Sequence, residues 1–92
     1  MIKVKILKEV NTLIKAEVAV YPLKTNNATS VINASIHTLD DTNVNYQVDS
    51  MNTKVSGSKT EVFRCLESMF SEAEKSGGEI NMVVTVSNAG KQ

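Results

Sequence analysis

Apolar and polar residues alternate along much of this chain, and each stretch of alternation marks a strand. Over Ile14 to Leu23, the apolar Ile14, Ala16, Val18 and Val20 interleave with Lys15, Glu17, Ala19 and Tyr21. That is the two-residue period of a half-buried strand. Pro22 closes it, because proline has no N–H to give to a ladder. Val44, Tyr46 and Val48 repeat the pattern, and so do Met51, Thr53 and Val55. So few residues separate these two stretches that they predict a tight hairpin. Ile80, Met82, Val84 and Val86 set the period of a last strand.

Two intervening segments carry helical spacing instead. Asn26 to Ser30 is rich in residues that cap free N–H groups, and Ala28, Ile32, Ile36 and Leu39 then share one helical face. Asp40-Asp41-Thr42-Asn43 ends that helix with turn-forming side chains. Ser58 and Glu61 stand at the spacing of a capping box, ahead of a stripe formed by Val62, Phe63, Leu66, Met69, Phe70 and Ala73. Lys75 suits the negative end of the helix dipole, and Gly77-Gly78 stops it. Residues 1–13 fit an edge strand, a helical turn or a lead-in equally well.

The order is β-α-β-β-α-β, the split β-α-β pattern of a ferredoxin-like α+β sandwich. It implies a four-stranded antiparallel sheet with both helices on one face, and 92 residues are enough for one such domain. The other face is left open. Ala19, Tyr21, Val83 and Thr85 are candidates to line it, with Tyr46 and Val55 as further ones. Such a mixture is apolar enough to predict a homodimer or homotetramer built through the sheet.

Composition narrows the function. Ten basic residues balance ten acidic ones, and Arg64 is the lone arginine, so nothing draws the chain to nucleic acid or anionic lipid. An RNA-binding sheet of this order would stack bases on aromatics of its central strands, but the first strand offers only Tyr21 and the third none. No apolar run is long enough for membrane insertion, and residues 1–6 lack the apolar core of a secretory signal. The expected location is the cytoplasm. Cys65, the sole cysteine, reads as a small core residue, and His37 as a surface residue beside Asp40 and Asp41. No phosphate-binding glycine loop or HExxH motif is present. The residues themselves therefore offer no catalytic or metal-binding constellation.

Several segments resemble one family. Glu17-Val18-Ala19-Val20-Tyr21-Pro22-Leu23 looks like the segment (apolar)-Ser-(apolar)-Tyr-Pro-(Leu/Met) of the YkoF-like proteins, which bind thiamine or its hydroxymethylpyrimidine half. Ser50 to Gly57 resembles their hairpin, with Thr53 and Gly57 in matching places, and Glu61-Val62-Phe63 the start of their second helix. Asn81 to Ser87 is similar to their closing strand. The likeness spans residues 14–90. Short thiamine-binding relatives carry Pro-Met-Gly-Thr in the hairpin, where this chain has Ser50-Met51-Asn52-Thr53.

The resemblance implies a non-catalytic module that binds thiamine or hydroxymethylpyrimidine. Two-repeat family members would be matched here by a homodimer. In that setting Tyr21 would stack on the ligand and Met51 would pack against a ring. Thr53, Ser87 and Asn88 would hydrogen-bond a pyrimidine edge, and Glu17 and Asp49 would stand near a thiazolium cation. Two other functions suit the same fold: an amino-acid-sensing regulatory domain, and an assembly module without a ligand.

Overall fold

The computed structural model describes residues 13–89. Apart from Leu13, the segment 1–13 that the sequence leaves open lies outside them. In chain order the elements are β1 (Leu13–Pro22), α1 (Ala28–His37), a 3-10 turn (Thr38–Asp41), β2 (Asn45–Val48), β3 (Thr53–Ser58), α2 (Lys59–Gly77) and β4 (Ile80–Ser87). The four strands make one antiparallel sheet in the order β2-β3-β1-β4. The α+β arrangement expected from periodicity is the one found.

The alternation of β1 decides which face is buried. Ile14, Ala16, Val18 and Val20 turn to the helices and are buried. Register carries this parity across the sheet, because directly opposed residues in an antiparallel pair share a face. Ala16 lies opposite Val55 and Val86, and Val55 in turn lies opposite Tyr46. Tyr46 and Val55 are therefore on the helix side and do not line the open face. Period-two patterning gives alternation but not absolute facing, which only the register with β1 sets.

The open face is also less uniform than its four expected residues suggest. Across β1 and β4 it carries Ala19, Tyr21, Val83 and Thr85, with Val83 57% exposed. Toward β2 it turns polar, with Lys15 and Glu17 opposite Ser56 and Lys54, and Asn45 and Gln47 beyond. Any apolar contact through this face must centre on the β1–β4 half.

In α1 the buried stripe lies one position away from the one that residue type alone picks out, whereas α2 buries its expected stripe except for Phe63 and Phe70. In α1 the buried residues are Val31 and Ser35, followed by Leu39 in the 3-10 turn, while Ile32 and Ile36 pack partly against the core. Ser35 tolerates full burial because its hydroxyl donates to the Ile32 carbonyl at 2.7 Å. The helix N-cap is Asn27, whose side chain makes no capping bond; instead its N–H donates to Thr25 Oγ1 at 3.0 Å. In α2, Ser58 does cap, accepting from the Glu61 N–H at 3.2 Å. Val62, Cys65, Leu66, Met69 and Ala73 are buried there, while Phe63 and Phe70 stay on the outer flank. Those two are seven residues apart, and each stands one residue, or roughly 100° of helical rotation, past a core position.

The two helices meet closely at the end of α2. A Cβ on Gly77 would come within 3.1 Å of Val31 Cγ1. Gly78 follows at φ 77° and ψ −110°, a conformation that glycine adopts readily, and its N–H donates to the Glu74 carbonyl at 2.9 Å, closing the helix. The chain then enters β4 beside the end of β1, where the Leu23 N–H donates to the Glu79 carbonyl at 2.9 Å.

Candidate functional site

A pocket of about 300 Å³ opens where the β2–β3 hairpin projects past β1. The hairpin loop, residues 49–52, is closed by the Asp49 N–H donating to the Asn52 carbonyl at 2.8 Å. Pairing between β1 and β3 stops at Val18 and Thr53, so the loop stands beside Ala19–Tyr21 without continuing the ladder. The floor of the gap is apolar, made by Val18, Ile32, Ile36, Val48 and Met69. Polar groups come from Ser35, Asp49, Ser50, Asn52 and Thr53. An apolar cleft with a few placed polar groups, at the low end of the roughly 300–1,000 Å³ usual for ligand sites, suits a small flat molecule.

Four of the residues singled out from the sequence meet here: Tyr21, Asp49, Met51 and Thr53. Thr53 is only 5% exposed, yet among the described residues no group hydrogen-bonds its hydroxyl. No buried side-chain polar atom there is both sealed and unpartnered, so this hydroxyl reaches the pocket surface. Met51 is 80% exposed on the loop, held by little besides its backbone. Tyr21 lies on the open face at the rim, opposite Asn81. Asp49 is already engaged: Lys54 Nζ stands 3.2 Å from Oδ2, and Gln47 Nε2 donates to Oδ1 at 3.3 Å. Its carboxylate therefore offers a cation less than a free one would.

The other three residues lie elsewhere. Glu17 shares the open face with Tyr21 but sits four residues earlier on β1, about 13 Å along the strand. It lines a separate groove of about 330 Å³ with Lys15, Gln47 and Lys54. Ser87 pairs with Lys15, at the opposite end of β4 from Tyr21, and accepts a hydrogen bond from the Ala89 N–H at 2.9 Å. Ser87 and Asn88 line a third cleft beside Lys59 and Phe63. Within one copy of the chain, a ring against Tyr21 and Thr53 is out of reach of Glu17, Ser87 and Asn88.

Ser35, Asn52 and the pair Ile32/Ile36 were not marked by the sequence as pocket residues. A small hydroxyl residue on the buried stripe between Val31 and Leu39 was the available signal for Ser35. Helical spacing picked out Ile32 and Ile36 only as an apolar face, because one side of α1 serves both core and pocket.

Away from the pocket, Asp40, Tyr46 and His37 form a cluster of their own. The Tyr46 hydroxyl donates to Asp40 Oδ1 at 2.6 Å, and His37 Nδ1 is 3.4 Å from Oδ2. Tyr46 first, then His37, hold the Asp40 carboxyl below its usual value, and the same carboxylate pushes the Tyr46 phenol up. Burial, with the charge of Glu61 adding to it, pushes the Cys65 thiol up to about 11, so it stays protonated and unreactive.

Comparison with known proteins places the chain. Residues 13–90 match the YKOF-related family. Among curated proteins none matches. A Streptococcus pneumoniae protein of solved structure superimposes with a TM-score of 0.77 at 21% identity, covering 83% of this chain and 86% of its own. A domain of unknown function from Bacillus cereus gives 0.75 at 19% identity, covering 83% and 75%. A Thermotoga maritima protein provisionally assigned to thiamine biosynthesis or salvage gives 0.72 at 17% identity, covering 80% and 81%. At these identities the structural likeness establishes the shared fold.

Proposed function

The chain belongs to the YKOF-related family, and from that premise we propose that its hairpin-end pocket binds thiamine or the hydroxymethylpyrimidine half of thiamine without converting it. The observation that carries this is the Thr53 hydroxyl, set on a buried residue, without a hydrogen-bond partner among the described residues and bordering the pocket. A pyrimidine nitrogen or amine would give this hydroxyl, which reaches the pocket surface, a hydrogen-bond partner that no described residue supplies. Tyr21 and Met51 supply faces for a flat ring, and Ile32 and Ile36 its apolar floor. The thiamine assignment of the Thermotoga maritima neighbour is consistent with this ligand class. A reduced, cytoplasmic setting suits a single buried thiol.

Self-association belongs to the same proposal. The β1–β4 half of the open face exposes Tyr21 and Val83 side by side with Ala19 and Thr85. A homo-oligomer through this half would cover apolar surface next to the pocket rim and bring a second Tyr21 near the first.

Titration calorimetry with thiamine, hydroxymethylpyrimidine and a set of amino acids tests the ligand. Saturable heat from the thiamine series alone is the expected result. Heat from an amino acid instead would make the pocket a sensor of another class. Silence across all compounds, from folded protein, would leave an assembly module.

A further inference from the structure

The most informative unfilled feature of the pocket is in the backbone. Along a strand, successive residues send their N–H and C=O to opposite neighbours. The Leu23 N–H bonds the Glu79 carbonyl on the β4 side, so Leu23, Tyr21 and Ala19 face β4 and Val20 faces the other way, toward β3. The hairpin gives the same parity independently. The Asp49 N–H bonds the Asn52 carbonyl, so Asn52 and Lys54 face β2, while Thr53 and Val55 face β1. Val18 and Thr53 are thus the last pair to exchange bonds between the two strands. The next pair would be Val20 with Met51, and there the ladder has stopped.

The Val20 N–H and C=O therefore point together into the gap, and among the described residues no backbone group bonds them. Both flank the pocket that contains the Thr53 hydroxyl. A donor and an acceptor on one residue, side by side in strand geometry, match a molecule that offers an acceptor and a donor on adjacent atoms. They do not match a charged group, which would want like partners, or a wholly apolar one.

We infer that Val20 reads its ligand as a missing strand would: the N–H donates to an unprotonated ring nitrogen, and the C=O accepts from an amine on the neighbouring ring carbon. The ligand class is a planar nitrogen heterocycle with such an amidine edge, of which 4-aminopyrimidine is a simple example. The inference rests on the proposal that this pocket is the ligand site, and deepens it by naming the group that selects the edge. Because the readers are main-chain atoms, no pattern of side chains along the sequence displays them. Burial of the Val20 side chain at 8% exposure fixes the strand against the helices, so the two groups are held in place before any ligand arrives.

The test is amide hydrogen exchange by NMR on the full chain, following Val20 against Val18, whose N–H is already in the β3 ladder. The ligands are thiamine, hydroxymethylpyrimidine, 4-aminopyrimidine, cytosine and the 4-dimethylamino analogue of hydroxymethylpyrimidine. Saturation with an amino ligand should slow Val20 exchange about tenfold more than it slows Val18, with a downfield shift of the Val20 amide proton. The dimethylamino analogue, which has no donor, should bind about tenfold more weakly, the loss of one good hydrogen bond. Thiamine binding with Val20 unchanged overturns the inference and leaves the thiamine proposal standing. Failure of thiamine and hydroxymethylpyrimidine to bind, with Val20 slowed by 4-aminopyrimidine or cytosine, does the reverse. If no compound in the set affects Val20, the inference falls.

Discussion

Val18 and Thr53 face each other as the last rung between β1 and β3, and both side chains are buried against the helices. Beyond that rung the two strands part, and the space between them is the pocket. Thr53 therefore serves the core with its methyl group and the pocket with its hydroxyl.

Replacing Thr53 with Val separates those roles. The methyl packing is kept, and the hydroxyl that leaves has no partner in the protein among the described residues. Affinity for the thiamine series, measured by calorimetry, should fall about tenfold, near 1.4 kcal/mol, with the melting temperature unchanged or slightly raised. Unaltered affinity would place the ligand elsewhere.

Tyr21 stands 51% exposed at the rim, so little of it contributes to folding. Tyr21→Ala should cost under about 1 kcal/mol of stability by chemical denaturation, yet weaken ligand binding measurably. Tyr21→Phe should retain the binding if the ring face is what matters. Equal losses of stability and affinity in the alanine variant would return Tyr21 to a structural role.

The end of α2 is sterically specified. Gly78→Ala forces a Cβ into the left-handed region at φ 77° and should cost about 1 kcal/mol. For a chain of this size that lowers the melting temperature by roughly 4–8 °C. Gly77→Ala acts differently, pressing on Val31 at 3.1 Å. Val31→Ala in the same chain should recover part of that loss, and no recovery would show that the contact is not the cause.

Cys65 should resist alkylation in the folded protein and react only on unfolding, as seen by mass spectrometry across a denaturant series. Its pKa is raised from 9.0 to about 11 on folding, which favours the folded state fully below pH 9. That contribution is lost as the pH climbs from 9 towards 11, because the unfolded thiol ionises first. Denaturation at pH 8 and pH 10.5 should differ by about 2 kcal/mol more in the native chain than in Cys65→Ala.

Val83 lies at the centre of the apolar half of the open face. Val83→Lys should shift sedimentation of an oligomer toward the monomer while preserving the fold, since the side chain is solvent-facing in a single copy. An unchanged sedimentation coefficient would move the interface off this sheet.

The chain reads well where a residue's partner is close in sequence. The Ser58 cap, the Gly77-Gly78 stop and the alternation of β1 and β4 are local, set by backbone sterics and side-chain spacing within a few residues. Tyr21, Met51 and Thr53 were likewise legible as candidates from their motifs. What misled was facing. Ile32 and Ile36 outrank Val31 and Ser35 in hydrophobicity, and Tyr46 looks like an open-face residue, yet packing and register place them otherwise.

By itself the sequence determined the element order, the antiparallel four-stranded sheet and one apolar stripe per helix, because period and capping are properties of neighbouring residues. The tertiary structure alone decided which of the candidates share a site. Tyr21 and Thr53 meet because β1 and the hairpin diverge after the Val18–Thr53 rung, whereas Ser87 and Asn88, at the end of a strand running antiparallel to β1, lie at the far side of the sheet. It also decided that the backbone of Val20 is bare. A residue's hydrogen-bonding direction and the point where its neighbour strand ends depend on pairing between segments some thirty residues apart, which no local pattern records.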